Sequence, residues 1–127
     1  MKDCKIAFIG GGNMARSLIG GLIADGFTAQ HIHVSDPNPS NLQSLSDSYP
    51  IQTFSDNVPA ITDCNVVILA IKPQQLQSVA KQLAPHWQSN TLLISIAAGI
   101  RLKDISRWLE QDKAAIVRAM PNTPSLV

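Results

Sequence analysis

An α/β fold, an open and mostly parallel sheet of about six strands with helices wound over both faces, is what this sequence predicts. Two observations carry that prediction. Apolar runs of strand length alternate with helix-spaced apolar positions along the whole chain, and a glycine cluster falls directly between the first run and the first helical pattern. Composition sets the scale: 127 residues, 45% of them hydrophobic, suffice for one core and fall short of two complete domains. Residues 1–127 are therefore expected to form a single domain.

The first strand is expected over Lys5–Ile9, an apolar run that stops at Gly10. A helix follows from about Asn13 to Asp25, with Met14, Leu18, Leu22 and Ile23 at helical spacing and Gly26 where a C-terminal cap belongs. Ile32–Ser35 reads as the second strand and ends in Asp36-Pro37-Asn38-Pro39, which no helix interior accommodates. A short helix from Ser40 to Ser48, with Ser40 as its cap, and a third strand over Ile51–Phe54 come next. The clearest strand is Asn65–Ile71, whose β-branched run suits a sheet centre covered on both faces, and Pro73 ends it. Leu76, Val79, Ala80 and Leu83 mark a helix before Pro85, Thr91–Ile96 a fifth strand, Leu102, Ile105, Trp108 and Leu109 another helix, and Ala115–Met120 a sixth strand. No repeat, low-complexity tract or linker interrupts the series.

Charge and cysteine content exclude several function classes. Ten basic against nine acidic side chains leave a formal charge of +1 with no cationic run, so neither nucleic acid nor a membrane surface is an expected partner. The apolar start Ile6–Ile9 is cut short by glycines and resembles neither a secretory signal nor a membrane span, so a soluble, cytoplasmic chain is expected. Cys4 and Cys64 form no metal-spaced or CxxC pattern and are expected to be inert, reduced thiols. His31 and His33 are placed flanking the second strand and His86 at a helix cap near Pro85, none with a partner at metal or triad spacing.

The pattern Gly10-x-Gly12-x-x-Ala15 sits between strand and helix, the context that a dinucleotide fingerprint requires. Gly10 permits the tight turn, Gly12 lets a pyrophosphate approach the backbone, and Ala15 keeps the helix close to the strand, while the amides of Asn13 and Met14 open the helix toward the phosphates. Glycines also serve ordinary turns, but the strand before, the helix after and the acid beyond favour a Rossmann-type domain that holds NAD or NADP. That acid is Asp36, 21 positions past Ala15, placed to accept hydrogen bonds from the adenosine ribose; its alternative is a turn-forming Asp before Pro37. No Arg or Lys follows it until Lys72, so the local chemistry leans toward NAD.

Ligands on such sheets lie beyond the carboxyl ends of the strands. The segments there are Ala70-Ile71-Lys72-Pro73-Gln74, Ser95-Ile96-Ala97-Ala98-Gly99-Ile100 and Met120-Pro121-Asn122-Thr123-Pro124. Small and polar residues in them leave room for a flat nicotinamide ring. Each also has a plain structural explanation: a solvated strand end at Lys72, a packed turn at Ala97–Gly99, a polar corner at Asn122-Thr123.

Taken together with Phe8-Ile9-Gly10-Gly11-Gly12-Asn13-Met14-Ala15, and with Arg118 and Ala119 leading into the last segment, these pieces resemble pyrroline-5-carboxylate reductase, the family that makes proline. The resemblance covers nearly the whole chain, and the Met120–Pro124 segment is its most specific part. It implies that Gly10, Gly12, Asn13, Met14, Ala15, Asp36, Asn57, Ala70, Lys72, Pro73, Ala98 and Asn122 surround NADP(H), alternatively NAD(H), with Asn57 on the adenosine side. It implies hydride transfer to the C=N bond of 1-pyrroline-5-carboxylate, for which no catalytic side chain is nominated. Two departures stand out. Asp36 occupies a position where many members carry a neutral residue, although the family favours NADPH. Members are also about twice as long, continuing into a helical domain that dimerises, so the complete enzyme is expected to be a homo-oligomer and this chain alone inactive, with apolar surface exposed near the sixth strand. The alternatives are a non-catalytic NAD(P)-binding module and the cofactor domain of a 3-hydroxyacid-type dehydrogenase.

Overall fold

The structure, a computed structural model, describes residues 4–96, 100–111 and 115–118. Six parallel strands form one sheet: β1 (Ile6–Ile9), β2 (Ile32–Ser35), β3 (Gln52–Phe54), β4 (Val66–Leu69), β5 (Leu92–Ser95) and β6 (Ala115–Arg118). Their spatial order is β3-β2-β1-β4-β5-β6. The order reverses beside β1, whose residues Ile6 to Ile9 pair with Ile32 to Ser35 on one side and with Val66 to Leu69 on the other. The expected doubly wound architecture is thus present, and it is parallel at every pairing.

Helices α1 (Asn13–Ala24), α2 (Pro39–Ser48), α3 (Asn57–Ile61), α4 (Pro73–Leu83) and α5 (Leu102–Trp108) return the chain between strands. Strand side chains alternate between faces, and the two cores follow from that period. Ile6 and Phe8 of β1 join Ile32, Val34 and Ile68 under Ala15 and Ile19 of α1 and Leu45 of α2. Ala7 and Ile9 join Val67, Leu69 and Leu93 against Leu76, Ala80 and Leu83 of α4 and Ile105 of α5. The outer strand β6 leaves Val117 48% exposed.

Local chemistry fixes the helix ends. At the end of α1, Gly26 (φ +96°) turns the chain left-handed while its N–H donates to the Ile23 carbonyl and Phe27 N–H donates to that of Leu22. This pair of bonds is the glycine-dependent stop expected there. Helix α2 begins one residue earlier than expected: Pro39 takes the first helical position, and the Asn38 side chain, rather than that of Ser40, caps it by accepting from Ser40 N–H at 2.9 Å. A proline lacks the amide that a first-turn residue leaves unpaired anyway, so Pro39 starts this helix instead of excluding it. Pro73 plays the same part for α4. Helix α3 was not expected at all; its five residues are too few for a periodic signal, and Pro59 lies within them. The fourth strand is shorter than expected, since Asn65, Ala70 and Ile71 flank Val66–Leu69.

His33 lies inside β2 and not beside it. Its ring is buried, with Nδ1 2.8 Å from the Ala60 carbonyl oxygen and the ring 5.1 Å from Phe54. His86 closes a single 3₁₀ turn at Ala84–His86. Met120, the expected end of the sixth strand, lies outside the described residues.

Candidate functional site

Beyond the carboxyl ends of β1, β2 and β4 lies a cleft of about 710 Å³, within the range of small-molecule and cofactor sites. The turn from β1 into α1 borders it. Gly10 there has φ +107°, and a Cβ on it would sit 2.2 Å from the Ala70 carbonyl oxygen. Both the backbone angle and the closeness of β4 therefore demand glycine. Gly10 N–H donates to the Ser35 carbonyl and Ala70 N–H to that of Ile9, each at 2.8 Å, so the ladder on both sides of β1 runs up to the turn.

Gly12 differs. Its φ is −82°, and a Cβ there would meet nothing within 4 Å, so open cleft and not strain lies in front of it. It caps α1 without a side-chain hydrogen bond, and the first turn carries no acidic residue. The first amides of a helix lack intrahelical partners and sit at the positive end of its dipole. An uncapped helix start facing a cleft suits an anion.

Asp36, the first residue past β2, faces this turn. Its Oδ2 accepts from Gly11 N–H at 2.8 Å and from Asn41 Nδ2 at 3.1 Å, and its Oδ1 accepts from Asn38 N–H at 2.8 Å. The two readings of Asp36 thus coexist: it forms the turn before α2, and it lines the cleft. A carboxylate offers about four acceptor sites; three of them are engaged here. Arg16, one turn into α1, does not line the cleft, and its guanidinium donates instead to the hydroxyls of Ser44 and Ser48 on α2.

A second polar group borders the cleft near β3. Buried Ser35 donates from Oγ to Asn57 Oδ1 at 2.6 Å, and Asn57 Nδ2 donates to Gln82 Oε1 of α4 at 2.9 Å. On the other side of the switch in strand order, Ala70, Ile71 and the exposed Lys72 lead out of β4, with Lys72 capping α4.

Of the twelve residues expected from the sequence, Gly10, Gly12, Asn13, Met14, Asp36, Asn57, Ala70 and Lys72 line the cleft together. Ala15 does not; it is fully buried on the sheet-facing side of α1, where a larger side chain would push the helix off the sheet. Pro73 is exposed at the start of α4 and is not part of the lining. Ala98 and Asn122 lie outside the described residues. Ser35, Asn41, Gln75 and Gln82 line the cleft and were not expected. Asn41 and Gln75 had a legible signal, since each falls on the first turn of a helix that follows a strand.

Cys64 belongs elsewhere. It is buried just before β4 and does not line the cleft, with Sγ 3.3 Å from the Ala60 carbonyl and 3.5 Å from His33 Nδ1. Burial pushes its thiol up to about 11, against a smaller opposing pull from Lys5. That agrees with the inert thiol expected. Among the described residues no helix is long and apolar enough to cross a membrane.

Comparison with known proteins agrees with this geometry. Residues 5–99 match the family described as NADP oxidoreductase coenzyme F420-dependent. Over 127 residues the chain is 43% identical to a pyrroline-5-carboxylate reductase of Pseudomonas aeruginosa, covering 100% of this chain and 46% of that protein. A solved pyrroline-5-carboxylate reductase of Coxiella burnetii superposes with a TM-score of 0.91 at 38% identity, over 96% of this chain and 45% of that one. The Plasmodium falciparum enzyme, solved with NADP bound, gives a TM-score of 0.80 at 26% identity, over 98% of this chain and 44% of that one. The chain spans about half the length of these relatives.

Proposed function

Because the chain belongs to the NADP oxidoreductase coenzyme F420-dependent family, we propose that it is the dinucleotide-holding half of a pyrroline-5-carboxylate reductase. The observation that carries this reading is the open, uncapped start of α1 at the reversal in strand order, on a chain matched over its whole length by reductases of that name. The group held is NADP(H), alternatively NAD(H).

Each residue has a physical task in this reading. Gly10 makes the turn, Gly12 leaves space for the pyrophosphate, and the amides of Asn13 and Met14 face it. Ala15 keeps α1 on the sheet, and Pro73 starts α4 so that Lys72 stands at the cleft. Asp36 has one acceptor site left for an adenosine ribose hydroxyl, and Asn57 borders the same half. Ala70 and Lys72, with Ala98 and Asn122 on the two segments outside the described residues, surround the nicotinamide half.

When bound, the reduced nicotinamide supplies a hydride for the C=N carbon of 1-pyrroline-5-carboxylate. A protonated imine needs no strong general acid, which fits a cleft with no histidine in its lining. The chain's contribution is to bind, orient and hold water away from the reacting face. The relatives run to about twice this length; in this reading their further half encloses the imine and pairs subunits, and the complete enzyme is a cytoplasmic homo-oligomer with no nucleic-acid or membrane partner.

The test is NADPH titration and NADPH oxidation with 1-pyrroline-5-carboxylate, run on the 127-residue chain and on the full-length P. aeruginosa relative side by side. The chain alone is expected to bind NADPH without turnover, since losing fixed geometry costs several kcal/mol, up to roughly 7–11. Comparable turnover by both would contradict the division of labour.

A further inference from the structure

Three side chains from three elements form one hydrogen-bonded chain along the cleft: Ser35 at the end of β2, Asn57 at the start of α3 and Gln82 in the last turn of α4. We infer that Gln82 is a positioning residue for the adenosine half of the dinucleotide, acting through Asn57; this rests on the reading above.

An asparagine amide has two acceptor positions on its oxygen and two N–H donors, and a rotation of half a turn exchanges them. Ser35 engages one acceptor position of Asn57, but a hydroxyl donates or accepts equally well and cannot hold the amide alone. Gln82 ties the other end: its Oε1 accepts from Asn57 Nδ2 at 2.9 Å, and the two bonds taken together, one at each end of the amide, select one orientation of Asn57. The second N–H of Asn57 is then left for an acceptor in the cleft, such as an adenosine ribose or ring atom. Asn57 is half-buried, so a misplaced amide there cannot simply be replaced by water at no cost. Gln82 itself is exposed on α4, away from both cores, so its replacement leaves the packing intact.

The experiment measures dissociation constants for NADPH and for NMNH, the reduced nicotinamide mononucleotide that lacks adenosine, in wild type, Gln82→Leu, Asn57→Ala and the double variant. Gln82→Leu is expected to weaken NADPH roughly threefold to tenfold, the effect of one hydrogen bond, and to leave NMNH unchanged. The double variant should bind NADPH no more weakly than Asn57→Ala alone, because Gln82 then has nothing to position. Additive losses would overturn the inference, as would an equal loss for NMNH or no loss in Gln82→Leu while Asn57→Ala is weakened. Failure of the wild-type chain to bind NADPH at all would overturn the cofactor reading itself, and this inference with it.

Discussion

The two turns that frame the cleft are built by opposite means. Between β1 and α1 the working groups are backbone amides and empty space, and any side chain is an obstruction: at Gly10 to the fold, at Gly12 to whatever enters the cleft. Between β2 and α2 side chains do the work, with one carboxylate drawing together Gly11, Asn38 and Asn41. The first turn should therefore respond to substitution all or none, and the second by degrees. The contrast also separates stability from binding, since Gly10 and Gly12 lie two residues apart and fail for different reasons.

The largest effect is expected at Gly10. Gly10→Ala forces a Cβ against the Ala70 carbonyl at a backbone angle that favours glycine, and should cost roughly 3 kcal/mol or more of a total near 5–15. Chemical denaturation checks it; a melting midpoint equal to wild type would show that β4 yields easily.

A smaller effect is expected at Asp36. Asp36→Ser removes a carboxylate that repels a 2′-phosphate, so the NADPH to NADH affinity ratio should rise by roughly tenfold, about 1.4 kcal/mol. It also removes an acceptor from Gly11 N–H, so both affinities should fall slightly before the ratio is taken. An unchanged ratio means that the phosphate lies elsewhere and that Asp36 serves only the turn.

The smallest effect lies outside the cleft and serves as its control. The Cys64 thiol is neutral when protonated, and burial favours that form, so its pKa rises from 9.0 to about 11 on folding. The associated stability is fully present below pH 9 and is lost as pH rises through 11. Urea midpoints between pH 8 and pH 11 should fall less steeply in Cys64→Ala than in wild type, and cofactor affinity should not follow either curve.

The same contrast explains what the sequence disclosed. A turn made of backbone writes itself as glycines at fixed spacing, so the β1–α1 turn and the cleft beside it were legible. Apolar runs made the six strands legible, and helical spacing of apolar residues four of the helices. Helix α3 was not, because five residues complete little more than one turn and carry no period. The Ser35–Asn57–Gln82 chain was not, because it joins residues 22 and 25 positions apart and no local pattern links them. The Asn38 cap was misread as Ser40 because the prolines that end one element also begin the next. The hydrogen-bond partner of buried His33 was not legible, because the Ala60 carbonyl belongs to that same unseen helix.

The central claim is that the space in front of Gly12 receives the pyrophosphate of a nicotinamide dinucleotide. The direct measurement is NADPH titration of the wild-type chain and of Gly12→Val, followed by protein fluorescence or calorimetry, with circular dichroism to compare their folds. Since a Cβ at Gly12 meets no protein atom within 4 Å, the variant is expected to fold as wild type does. Its NADPH affinity is expected to be lost, because the valine side chain occupies the approach to the α1 amides. Equal NADPH affinity for a folded Gly12→Val and the wild type would contradict the account.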